Sequence, residues 1–552
     1  MVMRKTKRHG FATFQTGVAL AIIGMLGTSS DAFAYKFETS PEWNLNLDTS
    51  VQYTAGWRAQ NRDDRIGNDP LHAASNYKFD KGDMVTNRLQ ALVEFQGAYK
   101  DNTGFRVTGS LWKDFAYDNE VKSNPAFMGA ITPYPSGQYS DYTKKYHLQG
   151  AELLDAFVFK NTTIGDKPVY LKAGRLTQFW GNGLFFGFSN IAYSQSPIDF
   201  IKGFTQPGSE VKELFLPRQQ LLGTVELSPE LSISGQYFLE FEGNRYPESG
   251  TYLAPADISY RGPVSFPGIG PLAIERKPKD NNDNFGVKVA WSPEWAQGDL
   301  GFYYRQFDDV NPWILIDASG ANLSYAEKTK LYGLSYERSF GAISTGFEFS
   351  YREDTGLNSV AGINQNGENF PKGAKGDLYN IIANTFVQLG DTALYDTGIL
   401  LAELSYTELL DVDASTEAVY HGVGRGTCVN GRKEDGCGTD RALAVAMLFE
   451  PQWLQVFPGW DLSSPMSLTY GINGNPAYSA GGFYAEGAAI YSLGIKGTYQ
   501  GKHSVSLAYN GYHWNPGPTT TNAFGLEQYA SSNGPKALND KGWIQLTVKT
   551  SF

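Results

Sequence analysis

Five histidines that follow residue 34 are the side chains of this chain that could support hydrolysis. A neutral imidazole can activate serine or water as a general base, so each is a candidate. They are His72, His147, His421, His503 and His513. His513 is the best placed, but its aromatic neighbours favour a structural role at an interface. The sequence contains no Gly-x-Ser-x-Gly elbow, His-Glu-x-x-His helix or phosphate-binding loop. It therefore predicts no enzyme, no cofactor and no metal site.

Charged residues of both signs could instead line a water-filled pore, where their transverse field would order and filter solutes. On predicted strands the candidates are Arg88, Glu94, Arg106, Asp114, Arg175, Glu348 and Arg352, with Lys172, Arg305 and Lys496 showing the same pattern. Near a predicted constriction they are Asp199, Glu210, Lys212, Glu213 and Arg218. Two interpretations stay open: the charges face water, or they pair with one another and hold a loop against the wall.

Alternation of apolar and polar residues recurs after Glu42 and predicts the strands that would position these charges. On the first strand, Trp43, Leu45 and Leu47 oppose Asn44 and Asn46. The predicted strands are 43–57, 85–99, 105–116, 151–160, 168–180, 218–227, 231–241, 284–291, 299–307, 329–338, 342–352, 377–389, 393–407, 441–450, 461–473, 487–500, 504–514 and 542–552.

These strands predict an all-β fold, a single transmembrane antiparallel β-barrel of about 18 strands (16–20). Short turns alternate with long polar loops, and the last strand ends on Phe552 with Ile544, Leu546 and Val548 on one face. Mean hydropathy is −0.34, which a barrel tolerates because only alternate residues contact lipid. A barrel this wide encloses an aqueous lumen or a plug.

The first residues predict export. Arg4 and Lys5 begin a basic head, 18–26 is a short apolar run, and Ala32-Phe33-Ala34 is a small-x-small cleavage site. We expect residues 1–34 to be a signal peptide cleaved between Ala34 and Tyr35, and residues 35–552 to form the barrel. The net charge of −11 argues against nucleic acid as a partner.

Residues 181–217 are unusually apolar for a connection between strands. The hydrophobic candidates are Phe185, Phe186, Phe188 and Phe200. Ser209 and Glu210 could begin a short helix, with Ser209 as the N-cap. The favoured interpretation is an inward-folded loop or short helix that constricts or plugs the lumen, and the alternative is an external lid against neighbouring loops.

Cys428 and Cys437 lie nine residues apart in a Gly-rich polar stretch. In an exported chain this favours a local disulfide. A metal-bound pair is the weaker alternative, because no histidine or second cysteine pair is expected close by.

Several segments of the first half resemble a Gram-negative family catalogued as domain of unknown function 1302. They include 79–89, 154–159, Gly174-Arg175-Leu176-Thr177-Gln178-Phe179-Trp180-Gly181, 195–199, 212–218 and 245–252. The second half matches by pattern only. The resemblance implies a porin-like protein of the Gram-negative outer membrane, associated with hydrophobic compounds such as steroids, terpenoids or lipids. It supplies no catalytic residues.

Together these observations predict a channel for small molecules, most of all hydrophobic or amphipathic ones. A polar-solute porin with a charged eyelet and a non-transporting structural barrel are the alternatives. The expected partners are outer-membrane lipid and lipopolysaccharide, a small-molecule solute and, as a further candidate, a periplasmic carrier.

Overall fold

The computed structural model describes residues 35–37, 40–127, 131–206, 209, 211–267, 269–272, 274–364 and 366–552. Eighteen antiparallel strands form one closed barrel. In chain order they are β1 Trp43–Arg58, β2 Met84–Tyr99, β3 Thr103–Asp114, β4 Gln149–Ile164, β5 Lys167–Leu176, β6 Arg218–Ser228, β7 Leu231–Phe238, β8 Phe285–Trp291, β9 Asp299–Phe307, β10 Thr329–Phe340, β11 Ile343–Gly356, β12 Lys375–Leu389, β13 Thr397–Val412, β14 Arg441–Phe457, β15 in two parts (Trp460–Ser463 and Met466–Asn473), β16 Ala489–Tyr499, β17 His503–His513 and β18 Trp543–Ser551.

The first and last strands close the barrel. β1 and β18 pair from Ser50 opposite Ser551 to Arg58 opposite Trp543. Beyond them, the Phe552 N–H donates to the Thr49 carbonyl at 2.8 Å. Closure leaves no unpaired edge at this seam, which a sheet surrounded by lipid requires.

Every predicted strand corresponds to an observed one, and the predicted barrel of about 18 strands is confirmed. The largest differences are at strand ends. β5 ends at Leu176 rather than residue 180, because the chain turns inward there and the Trp180 N–H donates to the Gln195 side chain at 2.7 Å.

The two ends of the barrel differ in their connections. At one end the connections are tight turns such as 100–102, 165–166, 341–342 and 500–502, several with residues of positive φ. At the other end the long connections are 59–83, 115–148, 177–217, 239–284, 308–328, 357–374, 413–440, 474–488 and 514–542.

The long connections contain short helices and strands that pack together. Helices or helical turns are Asp64–Gly67, Ala73–Tyr77, Pro125–Phe127, Asp141–Thr143, Lys144–Leu148, Phe200–Thr205, Val211–Leu214, Glu417–Val419, Gly426–Cys428, Lys433–Asp435, Gly481–Tyr484 and Lys536–Leu538, and Glu294–Ala296 lies in a turn at the other end. Small strands are Ser265–Phe266, Gly270–Pro271, Ile274–Arg276, Trp313–Asp317, Gly320–Ser324, Thr519–Thr521 and Glu527–Tyr529, and Tyr35–Phe37 pairs with β1. Among the described residues, no helix has the length and apolar character that crossing a membrane requires.

The two faces of the wall have opposite character. On β18, Ile544 and Val548 are 41% exposed on the outer face, whereas Gln545 and Lys549 are buried on the inner face. This alternation follows from the two-residue period of a strand.

Aromatic side chains follow the outer face near both ends of the wall. Towards the long connections the tyrosine rings of neighbouring strands touch, as do Tyr304 and Tyr332 (5.2 Å) and Tyr379 and Tyr406 (6.1 Å between centroids). Towards the short turns, Trp43 contacts Tyr99 and Trp460 contacts Tyr499. These two rows bound an apolar band, the pattern of a wall that meets two membrane interfaces.

Candidate functional site

We call residues 181–217 the inner segment. Those of its residues that the structure describes pack against the inner face of the barrel wall. Two wall carboxylates accept hydrogen bonds from its backbone. Glu348 on β11 accepts from the N–H groups of Gly183 (2.7 Å) and Ile191 (2.8 Å) and also from Asn182. These bonds satisfy backbone donors that no helix or strand satisfies.

Glu403 on β13 binds the next part of the inner segment in the same way. Its carboxylate accepts from the N–H groups of Phe185 and Phe186, both at 2.8 Å, and also from Leu184. Asn384 on β12 donates to the Asn182 carbonyl at 2.8 Å. Two carboxylates thus hold consecutive turns of the chain against the wall.

Two wall arginines complement the glutamates by donating to carbonyl groups of the inner segment. Arg305 on β9 donates to Ile191 (2.8 Å) and Tyr193 (2.7 Å). Arg352 on β11 donates to Phe188 at 2.6 Å and lies 4.1 Å over the Tyr193 ring. Both guanidinium groups are buried, so here the wall charges anchor the segment instead of facing open water.

The helix Phe200–Thr205 of the inner segment is attached to the wall by ion pairs. Asp199 caps it by accepting from the Lys202 N–H at 3.1 Å. The Lys202 side chain binds Glu152 on β4. Arg245 contacts Glu152 at 2.6 Å and Asp199 at 3.4 Å. These four buried charges compensate one another, as buried charges must.

A second cluster of charges is partly open to the lumen. Lys212 contacts Glu94 at 3.3 Å, and Arg106 lies 3.7 Å from the same carboxylate. The Lys212 and Arg106 side chains are 30% and 37% exposed. Glu213 accepts from Gln90 nearby. Of the described candidates predicted near the constriction, Lys212 is the one that solvent reaches, because Asp199, Glu213 and Arg218 are buried.

Three further predicted charges are buried. Arg88 donates to the His147 carbonyl at 3.3 Å, and Asp114 accepts from Thr86 at 2.9 Å. Arg218 donates to the Glu240 carbonyl at 3.0 and 3.1 Å. The two arginines thereby fix long loops to the wall, whereas Asp114 links the neighbouring strands β2 and β3.

The structure places Arg175 on the outer face, so its prediction as a lumen residue is wrong. Gly174 pairs with the inward Phe157, against which Arg106 packs. Arg175 therefore shares the outer face with Leu171, which is 44% exposed, and it binds Glu240 at 3.0 Å. The odd spacing between Lys172 and Arg175 already gives them opposite faces.

The four predicted phenylalanines lie in the inner segment, but two of them are buried. Phe186 packs against Tyr484, and Phe188 stacks on Phe200. Phe185 and Phe200 are half-buried. Phe200 also stacks on Tyr246 at 4.7 Å and contacts Phe483, which forms an aromatic stack between the inner segment and the long loops.

The predicted helix in this segment is observed over Val211–Leu214. The sequence pattern predicts Ser209 as its N-cap and Glu210 in its first turn. Glu210 and the cleavage-site residue Ala34 lie outside the described residues, and Tyr35 begins the short strand beside β1.

Five anchoring residues are absent from the sequence-based prediction: Glu152, Lys202, Arg245, Asn384 and Glu403. Glu403 is the charged residue between Ala402 and Leu404 on an apolar strand, a signal that could have identified it. Arg245 gives no comparable signal, because its partners Asp199 and Glu152 are 46 and 93 residues away in the sequence.

Cys428 and Cys437 form a disulfide. The expectation that no histidine lies close to them is wrong, because the fold brings His421 beside the two sulfurs. A bridge between Gly422 and Gly438 folds the loop back, and a ring nitrogen of His421 and the two sulfurs lie within 4.8 Å of one another.

The other histidines make ordinary polar contacts. The buried His147 ring accepts from the Glu248 N–H at 3.0 Å, and burial lowers its pKa to about 3. His72 contacts Asp69, and His503 contacts Thr550.

Three solved structures illustrate the similarity of the fold to known proteins. OpdK of Pseudomonas aeruginosa, solved with vanillate, has a TM-score of 0.40 and 9% identity over 92% of this chain and 98% of that chain. OccAB1 of Acinetobacter baumannii has a TM-score of 0.43 and 10% identity over 95% of this chain and 99% of that chain. OccD3 (OpdP) of Pseudomonas aeruginosa has a TM-score of 0.42 and 11% identity over 98% of both chains.

No curated protein matches the chain by sequence. A family model described as "Protein of unknown function (DUF1302)" matches residues 15–552. The resemblance noted from the motifs is thereby confirmed, and the chain belongs to the DUF1302 family.

Proposed function

We propose that this protein is a channel of the Gram-negative outer membrane through which small molecules pass. The observation that carries this proposal is the inner segment, which buried wall charges hold across the inside of a closed barrel. An 18-strand wall encloses more space than its own side chains fill. A segment anchored inside it narrows the lumen to a defined opening.

The long connections face outward and the short turns face the periplasm in this proposal, as in outer-membrane barrels generally. Residues 1–34 act as the export signal. Outer-membrane lipid and lipopolysaccharide surround the apolar band, and a periplasmic carrier is a partner that could receive the cargo. The barrel serves passage and not catalysis.

The proposed cargo is hydrophobic or amphipathic. Its support is the aromatic stack of Phe188, Phe200, Tyr246 and Phe483, which lies where the inner segment meets the long loops. Phe188 and Tyr246 are buried, whereas Phe200 and Phe483 are half-buried, so these two rings leave apolar aromatic area for a cargo. The constriction itself is formed by the anchored turns of residues 182–193.

A polar-solute porin is the second candidate. The partly exposed cluster of Glu94, Arg106 and Lys212 supports it, because opposed charges in a narrow pore select small polar solutes.

Transport and conductance of the purified barrel distinguish the two candidates. We expect proteoliposomes to equilibrate dodecanoate faster than protein-free vesicles, and we expect planar bilayers to show small or intermittent conductance in potassium chloride. A large, steady pore without dodecanoate passage would support the polar-solute porin instead. Deletion that weakens the envelope but changes no uptake rate would indicate a structural barrel.

A further inference from the structure

The wall is incomplete on one side of β4. Towards β3 this strand pairs up to Gln149, which lies opposite Lys113. Towards β5 the pairing extends only to Ala156, opposite Arg175. β5 ends at Leu176, which pairs with the first residue of β6. In the described part of the chain, residues 149–155 therefore have a neighbouring strand on one edge only.

This gap lies near the outer boundary of the apolar band. Ala156 is eight residues from Ile164 at the short-turn end, which places it about 20 Å above that turn for a strand tilted by about 40°. A membrane-spanning band is about 25 Å tall. The gap therefore begins where acyl chains meet headgroups.

A cavity of about 700 Å³ lies at the gap. Ala151 and Leu153 line it from the outer face, where Leu153 is 52% exposed. Glu152 and Arg245 also line it, and both belong to the ion-pair cluster that attaches the inner segment. One cavity thus extends from the outer face of the wall to the ion-pair cluster that attaches the inner segment.

The lining is rich in cations and includes aromatic rings. Five basic residues face it against three acidic ones: Lys145, Arg175, Arg245, Arg261 and Lys277 against Glu152, Glu242 and Glu275. Tyr142 and Tyr146 complete an amphipathic lining. Four of these cations are already in ion pairs: Arg175 with Glu240, Arg245 with Glu152 and Asp199, and Arg261 and Lys277 with Glu275. Lys145 is the remaining cation of this lining, and an anionic headgroup suits its charge, while a tail suits the exposed apolar surface of Ala151 and Leu153.

We propose that the gap beside β4 is a lateral opening through which a single-tailed amphipathic carboxylate passes between the outer leaflet and the lumen. The proposal rests on the channel function proposed above. The headgroup lies among the cations of the cavity and the tail remains beside the outer face of β4. Glu152, Lys202 and Arg245 form the inner boundary that the ligand must pass.

The test narrows the opening without touching the ion pairs. Ala151→Trp adds a large side chain at the outer mouth. Val158→Trp is the matched control, because Val158 is an outward residue of the same strand that lies where β5 pairs with β4. Both variants are purified, checked for the folded barrel and reconstituted in vesicles free of lipopolysaccharide.

We expect Ala151→Trp to slow dodecanoate equilibration at least tenfold while potassium chloride conductance stays unchanged, and Val158→Trp to behave as wild type. Lys145→Glu should weaken dodecanoate passage and leave uncharged dodecanol unaffected.

Wild-type passage of dodecanoate that Ala151→Trp does not slow would overturn the lateral opening and leave the channel function standing. No passage by the wild type would overturn both. The variants could also differ from wild type only in losing the lipopolysaccharide that wild type retains through purification. In that case the cavity is a lipopolysaccharide contact and the proposal is wrong.

Discussion

Glu348 and Glu403 show how single side chains position a long segment. Each carboxylate replaces a row of partners that a helix would have supplied to backbone N–H groups. A hydrogen bond to a charged group contributes about 1.5–3 kcal/mol, and an unmet buried donor costs about as much. The position of the inner segment therefore depends strongly on these two residues.

Replacing Glu348 by alanine should loosen the inner segment. The N–H groups of Asn182, Gly183 and Ile191 lose their acceptor, so we expect a destabilisation of about 3 kcal/mol or more, at about 1–3 kcal/mol for each unsatisfied buried donor, and a larger single-channel conductance in planar bilayers. Glu353→Ala is the control on the same strand, because its ion pair with Lys330 is one-third exposed and contributes at most about 1 kcal/mol. Equal conductance of the two variants would contradict the anchoring role.

The buried carboxyl group of Glu248 should make the stability of its loop, residues 239–284, depend on pH. Burial raises its pKa to about 8, against the opposing effect of the Gly262 N–H and Arg261. The folded state favours the protonated carboxyl group. The contribution of Glu248 to stability is therefore complete below about pH 4.5, the usual pKa of the group, and is lost as pH rises through about 8, its pKa in the folded state. Hydrogen exchange of residues 239–284, corrected for intrinsic rates, should therefore be faster at pH 9 than at pH 6.

Glu248→Gln imitates the protonated acid and should remove this difference between pH 6 and pH 9. The exposed turn residue Glu230 provides the control substitution, since Glu230→Gln should leave the difference intact. A pH difference that persists in Glu248→Gln would assign it to another group.

At the scale of elements, the loop 413–440 is held by its own cross-link. The Cys428–Cys437 disulfide closes a short loop, which contributes about 2–3 kcal/mol by limiting the unfolded chain. We expect Cys428→Ser with Cys437→Ser to make this loop sensitive to limited proteolysis while the electrophoretic mobility of the folded barrel stays unchanged. Unfolding of the whole barrel by the double substitution would contradict this local role.

The strands could be predicted from the sequence because alternation is a local property. All of the predicted strands exist, and inward Arg88 and Glu94 follow from parity alone. The side chains that bind the inner segment could not be predicted in their roles. Arg352 binds the Phe188 carbonyl, a contact 164 residues distant that no local pattern encodes. The predicted face of Arg175 is wrong because the residue lies near the end of its strand, where the pattern alone does not fix the register.

At the scale of the whole molecule, stability depends on keeping the outer face apolar. Val548 lies on the outer face of the closing strand and is 41% exposed. Val548→Arg should cost about 2–4 kcal/mol, measured by denaturant unfolding in lipid vesicles. Val548→Leu is the control and should stay within about 1 kcal/mol of wild type. An unfolding free energy that Val548→Arg leaves unchanged would contradict a seam that faces lipid.

Apart from the contact of Arg352 with the Tyr193 ring, the wall glutamates and arginines bind main-chain N–H and carbonyl groups of residues 182–193. Every residue type carries the carbonyl group, and every type except proline carries the N–H group. A half-buried side chain of this stretch such as Phe185 can therefore be exchanged while the turns keep their place, whereas the buried Phe186 and Phe188 pack against other rings. In the proposed channel, fixed wall residues would determine where the narrowing lies, and replaceable side chains would determine what it admits. Such a scaffold can acquire a new cargo by a few substitutions in one short stretch, with the eighteen strands unchanged.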